Sequence, residues 1–243
     1  MSEDVRFRHA LSLGDDHLVL GHRLSQWAGK APTLEEELAL ANIGLDLLGQ
    51  ARALYQLAGE VEGKGRTEDD LAYLRHDREF LNIQLVEQPN GDFGQTIARQ
   101  LFFTAAMKAY WPALAAGGDP DLAAIAGKAA KESAYHFRHA AEWTVRLGDG
   151  TEESKRRMQA GVDKLWEYTG ELFETGSDAI VDRAGLKDQW DADVDATLAR
   201  ATLARPEDSW MASGGRDGLH GEQLGHMLAE MQFMQRAYPG MTW

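Results

Sequence analysis

The segment PTLEEELALANIGLDLLGQARALYQLAG (32–59) decides the fold class. Pro32 and Thr33 open it, and Thr33 with Glu36 three residues on forms a capping-box pattern, a helix start. Leu34, Leu38, Ala41, Leu45 and Leu48 then recur at spacings of 4, 3, 4 and 3, the period of an α-helix. Leu40, Ile43, Leu47 and Leu54 lie on the opposite side. A helix apolar nearly all round must be covered by several neighbours or by a partner. One polar line crosses it: Asn42, Asp46 and Gln50, each four apart, placed to hydrogen-bond another helix or a subunit.

The rest of the chain repeats this chemistry. Its 243 residues include 35 Ala and 29 Leu against 8 Val and 5 Ile, and six prolines leave 33–88 and 121–205 uninterrupted. Helix formers dominate and strand formers are scarce, so the reading is all-α. Turn signals divide the chain into helices over about 11–29, 33–59, 68–84, 93–116, 121–147, 152–175, 178–203 (with a break near Gly185) and 219–237. Long helices with short connections imply one antiparallel four-helix bundle with extra helices packed on it, a single domain over 1–243. The loop SGGRDG (213–218) reads as a flexible connection. Met227, Met231, Phe233 and Met234 read as core, and Arg156 and Arg157 as a solvated face.

Composition excludes several functions. Cysteine is absent, so disulfides, thiolate metal sites and cysteine nucleophiles are out. A formal net charge of −14 argues against nucleic acid or an anionic membrane as partner. No apolar run is long enough to span a bilayer, and the N-terminal MSEDVRFRHALSLGDD is no signal peptide, so a cytoplasmic protein is expected. No Ser/His/Asp triad is evident.

The helix at 121–147 carries the candidate chemistry. Ile125, Ala129, Glu132, His136, His139 and Trp143 share one stripe. Glu and His on a core stripe must be paired, hydrated or metal-bound, because an unpartnered buried charge is expensive. Bundles of this kind build di-iron centres from a Glu on each of two helices and Glu-x-x-His on each of the other two. None of the eight histidines has a Glu three residues before it. Glu132/His136 and Glu222/His226 are pairs four apart, and the helix at 93–116 has no Asp or Glu at all. The ligand set is incomplete. Glu132, His136 and His139 therefore read as a buried hydrogen-bonded cluster, with a vestigial metal site as the alternative. Glu37 is either an exposed acid in a first helical turn or a fourth group pointing the same way.

Seven stretches carry a resemblance: LALANIGLDLLGQAR (38–52), LVEQPNGDF (85–93), TIARQLF (96–102), KESAYHFRH (131–139), RLGDGT (146–151), KLWEYTGELF (164–173) and GGRDGLHGEQLGHMLAEMQFMQR (214–236). Through them the chain resembles the C subunits of the bacterial multicomponent phenylacetyl-CoA epoxidases of aerobic phenylacetate catabolism. The resemblance implies a ferritin-like fold and a place in an oxygenase complex. There the A subunit holds the di-iron centre and binds the thioester, and a reductase subunit supplies electrons through flavin and iron–sulfur groups. The C subunit is implied to be a structural, non-catalytic member with no cofactor of its own. It is implied to pair with A, with other epoxidase subunits as further contacts and a homodimer as an alternative form of the isolated chain. No catalytic or metal residue carries over. The pairing surface is expected on the helix at 34–59 and its neighbour at 93–116. Two other readings stand beside this one: a ferritin-like oxidase or hydroxylase using Glu132, His136 and His139 itself, and a stand-alone helical interaction protein.

Overall fold

The computed structural model describes residues 2–176 and 180–241. Ten α-helices and four short 3-10 turns appear among them, with no strand. The helices are α1 (Glu3–Ser25), α2 (Leu34–Glu62), α3 (Glu68–Tyr73), α4 (Gln84–Glu87), α5 (Phe93–Ala115), α6 (Pro120–Gly148), α7 (Glu152–Trp166), α8 (Lys187–Arg200), α9 (Glu222–Met231) and α10 (Phe233–Ala237).

Local chemistry sets most of the ends. Thr33 Oγ1 accepts the Glu36 N–H at the start of α2, and Gly63 closes it in the left-handed conformation at φ 67°. Asp92 caps α5, and Asp119 caps α6 with Pro120 in its first turn. Pro112 does not end α5, which continues to Ala115.

Four helices form the bundle, and side-chain pairs give their directions. Gly14 of α1 faces Tyr55 of α2, and Gly21 faces Gly44 and Leu48. His9 of α1 meets Tyr110 of α5, while Trp27 near the other end meets Thr96. Gln50 of α2 meets Glu132 of α6, and Glu36 meets His139. Phe93 of α5 packs on Trp143 of α6, and Lys108 on Phe137. Numbers rise on one member of each pair as they fall on the other, so all four contacts are antiparallel. α2 and α5 must then run parallel, and residues 63–92 must travel the length of the bundle to join them. One long crossover between the second and third bundle helices is the ferritin-like topology.

α5 is the central helix. Every residue from Gly94 to Met107 is buried. α7 crosses it where Gly161 lies against the Gln95 backbone, too close for a β-carbon at either Gly161 or Gly94 without displacement. α8 is pinned by Trp190, whose indole N–H donates to Phe102 O at 2.9 Å. Trp111, Trp190 and Phe102 are fully buried, each contributing about 1.5–3 kcal/mol.

Three expected helices are shorter than expected, two of them where tertiary bonds take the backbone. Over 68–84 α3 ends at Tyr73 and a 3-10 turn follows at Asp77–Glu79; the Leu81 and Ile83 N–H groups then donate to Asp15 and Asp16 of α1, both at 2.8 Å, instead of to a helical turn. The helix expected to reach 175 ends at Trp166. A 3-10 turn follows, and in it the Glu171 carboxylate accepts the N–H groups of Gln84 and Gly215, each at 2.6 Å. Of the helix expected over 178–203, Asp178 and Ala179 lie outside the described residues. The rest is a 3-10 turn at Ala184–Leu186 followed by α8. At the ends of the chain, α1 starts earlier than expected and stops at Ser25, while Gly29 turns at φ 74°. The C-terminal helix begins only at Glu222 and breaks at Gln232.

Candidate functional site

The candidate residues of α6 converge on α2. His136 Nε2 lies 2.9 Å from Asp46 Oδ2, and His139 Nε2 lies 2.9 Å from Glu36 Oε2. The Gln50 amide donates to Glu132 Oε2 at 2.7 Å, and Lys128 lies 3.6 Å from the other Glu132 oxygen. The polar line on α2 and the titratable stripe on α6 are therefore two sides of one seam. Asp46 and Gln50 fill the helix–helix role expected of them, whereas Asn42 is exposed. Glu37 does not join the cluster. Its side chain makes no hydrogen bond or ion pair among the described residues, and Glu36, about 100° away round the helix, takes His139. Spacing placed Glu37 at the edge of a stripe without showing which edge faces α6.

Behind the seam lies a buried, uncharged histidine. His17 of α1 is fully buried against Phe103 and Trp111 of α5, with its Nδ1 on Leu13 O at 2.7 Å. Burial pushes its imidazole down to about 4, so it is uncharged at neutral pH. Burial also lowers His136, against the pull of Asp46. His17 Nε2, Gln50 Oε1, both amide atoms of Gln100 and the Trp111 N–H have no partner among the described residues. These are amide, indole and imidazole groups, the kind that ordered water satisfies.

A di-iron centre needs about four carboxylates and two histidines aimed into the bundle. Glu132 is tied to Gln50, and Asp46 and Glu36 are each tied to a histidine at a partly exposed seam. Among the described residues no three His, Asp or Glu side chains are grouped to hold a metal. The residues present do not fit the group.

A second cluster, unmarked by any spacing, is more deeply buried. Asp15 binds the Arg75 guanidinium and the Tyr55 hydroxyl as well as the Leu81 N–H. Asp16 pairs with Arg216 at 2.6 Å, and Arg216 also donates to Leu81 O and Ser12 O. Glu87 accepts from Asn82 and from the Gly221 N–H, and lies 2.9 Å from His220 Nδ1. The loop expected to be a flexible connection is thus sewn into the fold: Gly215 is buried, and Arg216 reaches α1. One signal was available in the sequence, the pair of acids inside LSLGDDHLVLG (11–21), an otherwise apolar helix.

The surface divides the outer residues of α2 from α5. Leu34, Leu38 and Leu45 are 68%, 57% and 66% exposed, whereas α5 is internal, so the expected pairing surface on 93–116 is not available. Of the four C-terminal apolar residues expected in the core, Met227 is buried and Met231 half-buried; Phe233 and Met234 are exposed.

The family model described as phenylacetic acid catabolic protein matches residues 2–243. The chain belongs to that family. Among curated relatives, a protein of Escherichia coli (strain K12) named as the C subunit of 1,2-phenylacetyl-CoA epoxidase is 49% identical over 243 residues. That match covers 97% of this chain and 98% of the relative. This chain is the all-α ferritin-like bundle described above, and among the described residues no helix is long and apolar enough to cross a membrane.

Proposed function

We propose that this chain is a structural, non-catalytic subunit of a phenylacetyl-CoA epoxidase in the cytoplasm, a single-domain bundle that pairs with and supports the catalytic A subunit. The di-iron centre belongs to that A subunit and the flavin and iron–sulfur groups to the reductase; this chain carries none. One observation carries the reading: the acids and histidines of the α2–α6 seam are consumed in helix–helix hydrogen bonds, His136 with Asp46, His139 with Glu36 and Glu132 with Gln50. A bundle closed by such bonds keeps its shape without a metal, and a fixed shape is what a supporting partner requires. The 49% identity over nearly the whole length to a protein named as an epoxidase C subunit supports the same role.

The test is the metal content of the purified chain, alone and co-expressed with its A subunit. The expected result is no stoichiometric iron in the chain alone and about two irons per heteromeric pair. About two irons in the isolated chain, lost on substitution of Glu132, His136 or His139, would overturn the proposal in favour of an oxidase acting by itself.

A further inference from the structure

We infer that His220 is a doubly protonated imidazolium that clasps the start of α9 to the crossover, and that removal of one of its protons frees that end of α9 while the four-helix bundle stays folded. This holds whether or not the chain pairs with a catalytic subunit.

The surroundings of the ring require two protons. His220 Nδ1 lies 2.9 Å from Glu87 Oε2, and Nε2 lies 2.8 Å from the Phe80 carbonyl oxygen. A carboxylate and a carbonyl accept hydrogen bonds and have none to give. A neutral imidazole carries one N–H, so its other nitrogen would set a lone pair against an oxygen at hydrogen-bonding distance. The imidazolium has a donor on each nitrogen and satisfies both contacts. The other resting place for the second proton is Glu87. Both of its oxygens already accept from N–H groups, Oε2 from the Asn82 amide at 3.0 Å and Oε1 from the Gly221 N–H at 2.6 Å, and such bonds favour the carboxylate. The His220 side chain is 4% exposed and that of Glu87 is fully buried, so water does not replace a lost partner.

The neighbouring charges agree. Burial opposes a charge on His220, but the Glu87 carboxylate and the Phe80 carbonyl outweigh it, with Asp15 of α1 adding to them, and the imidazole pKa is raised. The nearby cations are committed elsewhere: Arg75 to Asp15, Arg216 to Asp16, and Arg23 to the Glu87 and Gln223 carbonyls. Arg78 reaches the Gly218 carbonyl at 3.4 Å, Glu79 accepts the His76 N–H, and Glu171 accepts from Gln84 and Gly215. Asp77, Asp217 and Glu222 are exposed.

The start of α9 depends on this contact. Gly221 is its N-cap residue and has no side chain to cap with, and its N–H goes to Glu87. Arg216 fixes the chain before α9, and Gln232 fixes it after, donating to the Ala72 and Arg75 carbonyls. Between those points Glu87 is the one carboxylate anchor among the described residues, helped by Arg78, Gln84 and Arg23 on the Gly218, Leu219 and Gln223 carbonyls. The contact is complete below the unfolded histidine value of about 6.5 and is lost as pH rises through the folded value above it. With the proton gone to solvent, one ring nitrogen faces an acceptor with nothing to donate. The start of α9 then lifts, uncovering the buried Leu224, Met227 and Leu228.

The test uses the full, unsubstituted chain over a pH series. Heteronuclear NMR of the histidine rings is expected to show both His220 nitrogens protonated at about pH 6. Amide exchange, corrected for its intrinsic pH dependence, is expected to show the start of α9 losing protection by about tenfold or more as that ring titrates, while α5 is unchanged. His226→Gln, at an exposed histidine of the same helix, keeps the step. His220→Gln offers one donor nitrogen where the ring offers two; it removes the step and leaves α9 poorly protected throughout, with α5 still protected. A His220 ring with one protonated nitrogen at about pH 6, or a carboxyl carbon shift that puts the second proton on Glu87, overturns the imidazolium. Protection of α9 that survives the titration of His220, or that falls together with that of α5, overturns the release. The pH series on the unsubstituted chain decides the matter even where a variant misfolds.

Discussion

The α2–α6 seam and the knot where α1 meets the crossover hold the same residue types under different physical conditions. At the seam, His136 and His139 meet Asp46 and Glu36 near the surface; the Asp46 side chain is 39% exposed. In the knot, Asp15, Asp16 and Glu87 are fully buried, and each is satisfied by a cation or histidine together with backbone N–H groups. A seam bond exchanges water for a protein partner, and the net gain is modest. A knot bond holds two segments distant in sequence, and losing one partner strands a charge without water. The seam resembles a metal site and closes two helices together. The knot is marked in the sequence only by the adjacent acids Asp15 and Asp16, and it holds the crossover and the C-terminal segment onto the bundle.

The largest expected effect tests that contrast directly. Asp15→Ala leaves Arg75 buried without its carboxylate, and the Tyr55 hydroxyl and Leu81 N–H without their acceptor. It should cost about 3–5 kcal/mol in urea denaturation. A loss no greater than that of a seam substitution would erase the distinction between the two regions.

The next effect is on pH. The His17 imidazole is held near 4, below its unfolded value of about 6.5. Above pH 6.5 both states are neutral and nothing is lost. Between 6.5 and 4 the unfolded chain takes a proton that the folded chain refuses, so stability falls by about 3 kcal/mol across that window. His17→Leu should flatten the slope. His220 in the knot has the opposite sign: burial pulls it down, but the Glu87 carboxylate and Phe80 carbonyl outweigh that and raise it. Its contribution is complete below the unfolded value and is lost as pH rises through the folded one. His220→Gln should therefore destabilise more at pH 5.5 than at pH 8, and an equal loss at both would refute the assignment.

The smallest effect belongs to the seam. His139→Gln removes the bond to Glu36 at a partly buried position and should cost about 1 kcal/mol, with no change in iron content. A fall in bound iron in the isolated chain would instead return His139 to the role of a metal ligand.

Much of this was legible in the linear chain. The all-α class, the starts of α2 and α6, and the shared stripe of Glu132, His136 and His139 follow from propensity, caps and a period of 3.6, which act over a few residues. So does the absence of any Glu three residues before a histidine, which removes the bundle's usual ligand motif. The resemblance of stretches such as LANIGLDLLGQAR pointed to the family that the full-length match establishes. Tertiary structure alone decided which residues meet. Asp15 and Arg75 are 60 positions apart, Asp16 and Arg216 are 200 apart, and no local rule joins them. The same two acids take the Leu81 and Ile83 N–H groups from a helical turn, Arg216 ties the glycine loop to α1, and the packing of α2 on α6 chose Glu36 over Glu37 as the partner of His139. The same packing buried every residue of α5 from Gly94 to Met107 and left Leu34, Leu38 and Leu45 of α2 in solvent. Periodicity reports how apolar a helix face is; which neighbour covers that face depends on the path of the whole chain.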